Sequence, residues 1–497
     1  MTEPSERGIP VEKHLEATLE LLVPSRLLRS DDKDESLDED DSQHAAAEAF
    51  RQLSCIVTGR TQALSDAVVA RIVYTCGAYS NPADAWVDVD AYRQAQVLLA
   101  LLVDQMGARF IQQLAYRFGE RILDTWIRPH FVRLHPAVNA TSGRATLPGF
   151  RQMPTDFYDH QPWKTLAPEC VRVLSWLLTI CTELESDYTT CEQDVLDAMT
   201  AIAGKTITAA AATAARDAML HRALPLILTV TDDYSAEWKL RGLHLLTTVI
   251  KHADVLRMRR TGLTEVVYEA IRGCVAYRGH EPAELALMEA SLAAITVTQA
   301  TLARTAVNEQ QADERLEAAL RDGPLTALRF DGNRRTAVIA ACHASVPALQ
   351  CLGLPSTKLL APLVACITDW LPSAPSGVGM TSLDVHLAVL DLLDALVGSS
   401  QPRIPQYHGA LLAALAGGWL RLNDADTGAS DVLADKTKLR RRLRDTAQLL
   451  GRACVHCPHA AADRQALAAL SNANTRFDDL LGSLTPPTPD IPALRTP

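Results

Sequence analysis

From residue 169 to residue 484 apolar side chains return every third or fourth position, in one segment after another. Nowhere in the chain do Val, Ile, Thr and aromatic residues alternate with polar ones for the length of a strand. The first spacing lines one face of an α-helix, and the second is what a half-buried strand requires. A chain of 497 residues is far too long for one ordinary core. These two facts together predict many helices that bury their apolar stripes against one another. Composition enters only to agree: aromatics are 5 % of the chain while Leu and Ala are abundant, and both lose little on entering a helix.

The periodicity predicts helices near 11–28, 45–57, 61–75 and 91–118, then pairs from residue 169 onward. The later ones run over 171–184, 191–203, 207–220, 221–230, 236–252, 263–275, 282–300, 309–320, 335–352, 357–371, 382–397, 407–420, 436–454 and 459–472. One stretch suggests how the pairs are arranged. Pro225 sits inside an apolar helix, Asp232 and Asp233 follow at a turn, and Lys239, Arg241 and Gly242 lie in the next helix. This spacing resembles a HEAT repeat, in which the proline bends the first helix, the turn aspartate caps the second and the basic residue pairs with a turn aspartate. A two-helix hairpin cannot bury its faces alone and stacks on copies of itself. Pro362 opens a second candidate, with Trp370 where the aspartate belongs, so the repeats are degenerate. The expected fold is all-α: an α-solenoid of HEAT-like helical hairpins.

Six segments are expected. Residues 1–29 hold an N-terminal helix, 30–44 an acidic linker, and 45–128 an N-terminal helical region. Residues 129–168 form a proline-rich loop or crossover that keeps Phe150, Phe157, Tyr158 and Trp163; 169–484 form the repeat region, and 485–497, with five prolines, a disordered tail. The net charge is −11, and eight acids with one lysine between Asp31 and Asp41 supply most of it. That balance argues against a nucleic-acid partner, whose phosphates call for the opposite charge. The eleven cysteines are scattered and odd in number, no stretch approaches the roughly twenty apolar residues of a membrane helix, and the start Met-Thr-Glu-Pro-Ser-Glu-Arg has no signal-peptide pattern. A soluble protein of the cytoplasm and nucleus, with reduced core thiols and no membrane partner, is the expectation.

Candidate chemistry is sparse. Asp232, Asp233 and Glu237 have the residue types of a diphosphate-binding Mg²⁺ cluster in an all-helical enzyme, but the facing acidic helix such a site needs is missing, and a turn and cap explain these acids. Cys454 and Cys457, with His456 and His459 beside them, have the Cys-x-x-Cys spacing of half a zinc knuckle, but no second Cys/His pair follows nearby, and packing at the end of one helix and the start of the next explains them. The cluster Lys436, Lys438, Arg440, Arg441, Arg442 and Arg444 is either an import signal or acidic-partner docking patch, or a solvated helix face with Leu439 and Leu443 turned inward. Ser36, ahead of Leu37-Asp38-Glu39-Asp40-Asp41, suits an acidophilic kinase, or lies unmodified in a solubilising linker. Phosphate loops and the G-x-S-x-G elbow are absent from the sequence. No catalytic residue, metal site or cofactor is expected.

Thr231-Asp232-Asp233-Tyr234 followed by Lys239-Leu240-Arg241-Gly242-Leu243 resembles the most recognisable stretch of the Tel-two-interacting protein two (Tti-two) family. Tyr158-Asp159-His160-Gln161-Pro162-Trp163-Lys164, ahead of a helix carrying Cys170 and Trp176, resembles a second segment of that family. The resemblance implies a helical-repeat subunit of the complex named for Tel-two and its two interactors. Its direct partner would be a Tti-one-like subunit, in a hetero-complex that includes a Tel-two-like subunit. The ninety-kilodalton heat-shock chaperone machinery and the phosphatidylinositol-3-kinase-related kinases, whose maturation the complex supports, would be reached indirectly. On that basis Tyr158, Gln161, Pro162, Trp163 and Lys164 are possible partner contacts. Two other readings remain: a generic α-solenoid adaptor in transport or trafficking, which would co-purify with cargo or a small GTPase, and, more remotely, an all-helical Mg²⁺-dependent enzyme, which would show heat on Mg²⁺ titration.

Overall fold

The structure, a computed structural model, describes residues 11–22, 39–59, 64–84, 86–106, 118–131, 161–183, 209–277, 281–303, 309–331, 334–372, 383–424, 430–454, 469, 477 and 480. Among these residues there is no strand, and none of the helices is long and apolar enough to cross a membrane. The chain divides into two compact units, the first formed by Met1–Tyr234 with His252–Asp254, the second by Ser235–Lys251 with Val255–Pro497. The division falls inside the 169–484 segment, at the turn after Asp233.

The first unit contains α1 (Val11–Leu21), α2 (Glu39–Thr58), α3 (Asp66–Ala78), α4 (Val89–Met106), α5 (Gly119–Ile122), α6 (Pro162–Thr165), α7 (Glu169–Glu183) and α8 (Ala209–Thr231). Helix α1 places Leu15, Leu19 and Leu22 in the core, as its i, i+4, i+7 spacing demands. It packs on α2 and α3; α2 and α3 both meet α4, and α3 also carries α7. Helix α2 begins at Glu39, inside the stretch read as the acidic linker; acids are favourable company for the positive end of a helix. Past α5 the backbone widens into a π-turn at Leu123–Ile127 and tightens into a 3₁₀ turn at Arg128–Phe131, neither of which periodicity announces. Helix α8 is continuous where two helices, 207–220 and 221–230, were expected. The two spans join at Leu220 and His221, where Met219, Leu220, Ala223 and Leu224 are all buried, and Pro225 lies within the single helix.

The second unit contains α9 (Ala236–His252, its last residue apart), α10 (Val255–Arg260), α11 (Leu263–Val275), α12 (Pro282–Ala303), α13 (Glu309–Leu320), α14 (Thr326–Phe330), α15 (Arg335–Leu352), α16 (Leu360–Trp370), α17 (Leu383–Ser399), α18 (His408–Asp424) and α19 (Ser430–Ala453). Its helices stack as the hairpin pattern predicts. α11 pairs with α12, α13 and α14 with α15, α16 with α17, and α18 with α19. The second helix of each pair packs on the second helix of the next, giving the continuous row α12, α15, α17, α19, while α16 packs on α18 in the other layer. This is the packing of an α-solenoid. Helix α17, sandwiched within the row, buries Val385, Val389, Leu390, Leu392, Leu393, Leu396 and Val397, which lie on more than one side of the helix. Between α13 and α14 the chain makes a second π-turn at Arg321–Leu325 that holds Pro324, whose missing N–H suits a wider turn.

Six of the eight described cysteines, Cys76, Cys170, Cys274, Cys342, Cys366 and Cys454, are buried, and none of the eight is in a disulfide.

Candidate functional site

Trp163 and Lys164 of one family-like segment meet Asp233 and Tyr234 of the other in the first unit. Pro162 occupies the first position of α6, where its fixed φ suits a helix start and its lack of an N–H costs nothing. The next residue, Trp163, is 1 % exposed and stacks on Phe131, with ring centroids 5.5 Å apart and planes 4° from parallel. Packing of that ring sets the direction of Lys164. Its ammonium Nζ lies 2.8 Å from Asp233 Oδ1 and 2.7 Å from Oδ2, with the two side chains 8 % and 3 % exposed. The same Nζ stands 4.8 Å from the centre of the Tyr234 ring and 5.3 Å from that of Trp163. A carboxylate and two aromatic faces thus enclose one ammonium, the arrangement a buried cation needs to offset lost hydration. Asp233 thus meets a cation from 69 residues upstream, a pairing that no local spacing encodes.

Around this pair the first unit is held by further polar ties. Arg222 of α8 reaches Asp124 at 2.8 Å and Glu120 at 2.5 Å, and Arg172 of α7 meets Asp84 at 2.5 Å. Deeper in, Tyr74 Oη of α3 donates to Glu169 Oε1 at 3.1 Å and lies 3.7 Å from Cys170 Sγ. Glu169 is 2 % exposed and its second oxygen, Oε2, has no hydrogen-bond partner among the described residues. Burial pushes its carboxyl pKa up, against the opposing pull of a backbone hydrogen bond and that from Tyr74. Burial also raises the Cys170 thiol, with the nearby Glu169 carboxylate adding to the effect, and a raised thiol is a poor nucleophile. This cluster packs a helix interface and has no activated group.

The sign of the Glu169 shift makes a testable statement. Its folded pKa lies above the ordinary value of 4.5, so the neutral form is favoured in the fold. Its contribution to stability is complete below that ordinary value and is lost as pH rises through the folded one. Glu169→Gln keeps the acceptor for Tyr74 and removes the buried charge. The variant is therefore expected to melt higher than the parent at pH 8, with the gap closing as pH falls toward 4.5. Melting curves across that range check it; a gap that widens in acid contradicts it.

The remaining sequence candidates scatter. Lys239 lies over Tyr277 at 5.8 Å and Arg241 over Trp238 at 4.5 Å, both within the second unit, and Gly242 is buried in α9. Pro225 is inside α8, and Asp232 is exposed. In the basic cluster Leu439 and Leu443 do turn inward, 4 % and 0 % exposed. Arg442 ties α19 to α17 through Asp391 and, at 3.0 Å, Asp394; Arg444 lies over Trp419 at 5.9 Å, and Arg441 meets Asp445 at 4.0 Å. Lys438 is exposed, Lys436 and Arg440 only partly so. The cluster is in good part a packing face. Ser36, Tyr158, Cys457, His456 and His459 lie outside the described residues.

An open groove of about 900 Å³ runs between α15 and α17 in the second unit, lined by His343, Val346, Pro347, Leu354, Asp391 and Asp394 among others. Its two aspartates already face Arg442, which occupies the charge a cation would need. Among the described residues no three His, Cys, Asp or Glu side chains converge as metal ligands.

No curated protein gives a significant match to the chain. The family model described as Tti2 family matches residues 72–191 and 198–377. The matched ranges contain Trp163, Lys164 and Asp233 as well as the start of the helical row in the second unit. They span more than half of the sequence, and the chain belongs to the Tti2 family.

Proposed function

We propose that this chain is a non-catalytic scaffold of the co-chaperone complex formed by Tel-two, Tti-one and Tti-two proteins. In this reading it binds a Tti-one-like subunit directly and a Tel-two-like subunit within the same assembly. Together with heat-shock chaperone machinery it supports the maturation and stability of phosphatidylinositol-3-kinase-related kinases, in the cytoplasm and the nucleus. The observation that carries the reading is the family match over residues 72–191 and 198–377. Stacked hairpins supply long, continuous helix faces of the kind that stable hetero-complexes bury. The work required is mass action: a subunit that binds only the folded partner raises that partner's apparent stability and lifetime without altering a covalent bond.

Affinity capture of the tagged full chain from its own cells, followed by quantitative mass spectrometry, tests this directly. Tti-one-like and Tel-two-like proteins are expected at near-equal molar amounts, and depletion of the chain is expected to lower the steady-state level of the large kinases. Recovery of neither subunit overturns the proposal. Recovery of transport cargo or a small GTPase in their place favours the adaptor reading.

A further inference from the structure

The chain is acidic overall, yet the stretch from Lys251 to Arg260 carries four cations, Lys251, Arg257, Arg259 and Arg260, against the single acid Asp254. The three arginines fall on α10, a short helix in the second unit. Successive residues advance about 100° around a helix axis. That rotation sets Leu256 between Arg259 and Arg260, puts Arg257 beyond Arg260, and leaves Met258 nearly opposite. Burial agrees: Met258 is 3 % exposed and faces the core, while Leu256 is 48 % exposed. Lys251 and the three arginines are exposed. Arg259 and Arg260 have no side-chain ion pair or hydrogen bond among the described residues. The nearest acid on the following helix, Glu265, has both carboxylate oxygens on Arg315, at 2.6 and 2.5 Å, and does not neutralise the patch. That helix, α11, packs against α10, and its Val266 is 50 % exposed.

We infer that the outer face of α10 is a docking surface for an acidic amphipathic segment of another protein. The occupant presents an apolar side chain to Leu256 and carboxylates to Arg259 and Arg260, with Arg257 and Lys251 extending the positive field. Guanidinium groups accept carboxylates in paired hydrogen bonds, and an exposed leucine between two of them gives an apolar anchor inside a charged rim. A nucleic acid fits less well: it would meet a protein of net charge −11 at a patch with no aromatic side chain for base stacking. A lipid surface is disfavoured because Leu256 and Val266 are isolated, half-exposed aliphatic groups and α10 is a helix of six residues. The inference does not depend on the family reading, since it concerns the chemistry of one face.

The test is fluorescence anisotropy on the full chain with a labelled helical peptide that repeats leucine every third or fourth position with glutamates between. Binding that weakens with added salt is expected. Arg259→Glu with Arg260→Glu is expected to weaken it about tenfold, and Leu256→Ser several-fold. The melting temperature is expected to fall by no more than about 4 °C in either variant, because Leu256 is half-exposed and the arginines tie no two elements together, so that only the small helix-end charge effect is lost. Arg259→Gln with Arg260→Gln, the milder change, is expected to fall between parent and reversal. The inference is overturned by any of four results: no binding of the acidic peptide by the parent, equal affinity of parent and reversed variant, equal binding of the same peptide with glutamines in place of glutamates, or tighter binding of duplex DNA or phosphatidylserine vesicles than of the peptide.

Discussion

Asp233→Ala is expected to lower the melting temperature of the chain by about 10 °C. The reason lies in what remains. Removing the carboxylate leaves the Lys164 ammonium in a site where its side chain is only 8 % exposed. Breaking a buried pair from one side costs about 3–5 kcal/mol, most of it the desolvation of the charge that stays buried. In a unit of this size each kcal/mol moves the midpoint by about 2–4 °C. The aromatic faces of Trp163 and Tyr234 offset part of that cost and keep the figure toward the lower end. Removing both charges is a different matter, because two apolar side chains of similar size need no hydration. Lys164→Met combined with Asp233→Leu is therefore expected to recover more than half of the loss. Circular dichroism melts of the three variants against the parent measure both quantities. A single-variant loss under about 1 kcal/mol would place the pair with ordinary surface ion pairs and remove its structural role.

The same substitution at two glycines is expected to act in opposite directions. A Cβ added at Gly77 in α3 would stand 2.6 and 3.0 Å from ring carbons of Trp176 in α7. An indole ring between two packed helices cannot fold away as a lysine tip could, so the helices must separate. Gly77→Ala is expected to cost about 1–3 kcal/mol, as overpacking does elsewhere. At Gly273 in α11 nothing lies within 4 Å of the added carbon, and the backbone is helical. There the methyl group only reduces the freedom of the unfolded chain, and Gly273→Ala is expected to gain about 0.5–1 kcal/mol. Urea unfolding monitored by tryptophan emission separates the two signs. Equal shifts at both positions would mean that α3 and α7 tolerate a wider spacing than their contact implies.

Local chemistry was legible in the sequence wherever local chemistry decides. The expected spans 236–252, 263–275, 309–320 and 335–352 coincide with α9, α11, α13 and α15, because punctuation such as Gly262 and Gly353, both at positive φ, lies beside those helices. The π-turns at 123–127 and 321–325 were not legible, since a single inserted residue leaves the apolar pattern almost unchanged. The join of the two expected helices into α8 was not legible because His221 and Arg222 interrupt the apolar run, while Met219, Leu220, Ala223 and Leu224 on either side gain by burial. At the candidate site the sequence placed Trp163, Lys164 and Asp233 in family-like segments, yet nothing in it joined Lys164 to Asp233. Pairs so distant along the chain are matched by tertiary packing, which leaves no period to count.

The row formed by α12, α15, α17 and α19 has a consequence for how damage spreads. Each member is braced by the one before and the one after, so cooperativity along it is short-ranged, like coupling between adjacent spins. A lesion in α19, the last member of the row among the described residues, leaves α12, α15 and α17 paired. A lesion in α17 divides the row into two fragments, each with a newly bared apolar flank. Harmful substitutions are therefore expected to concentrate toward the middle of the row, where one lost interface exposes two.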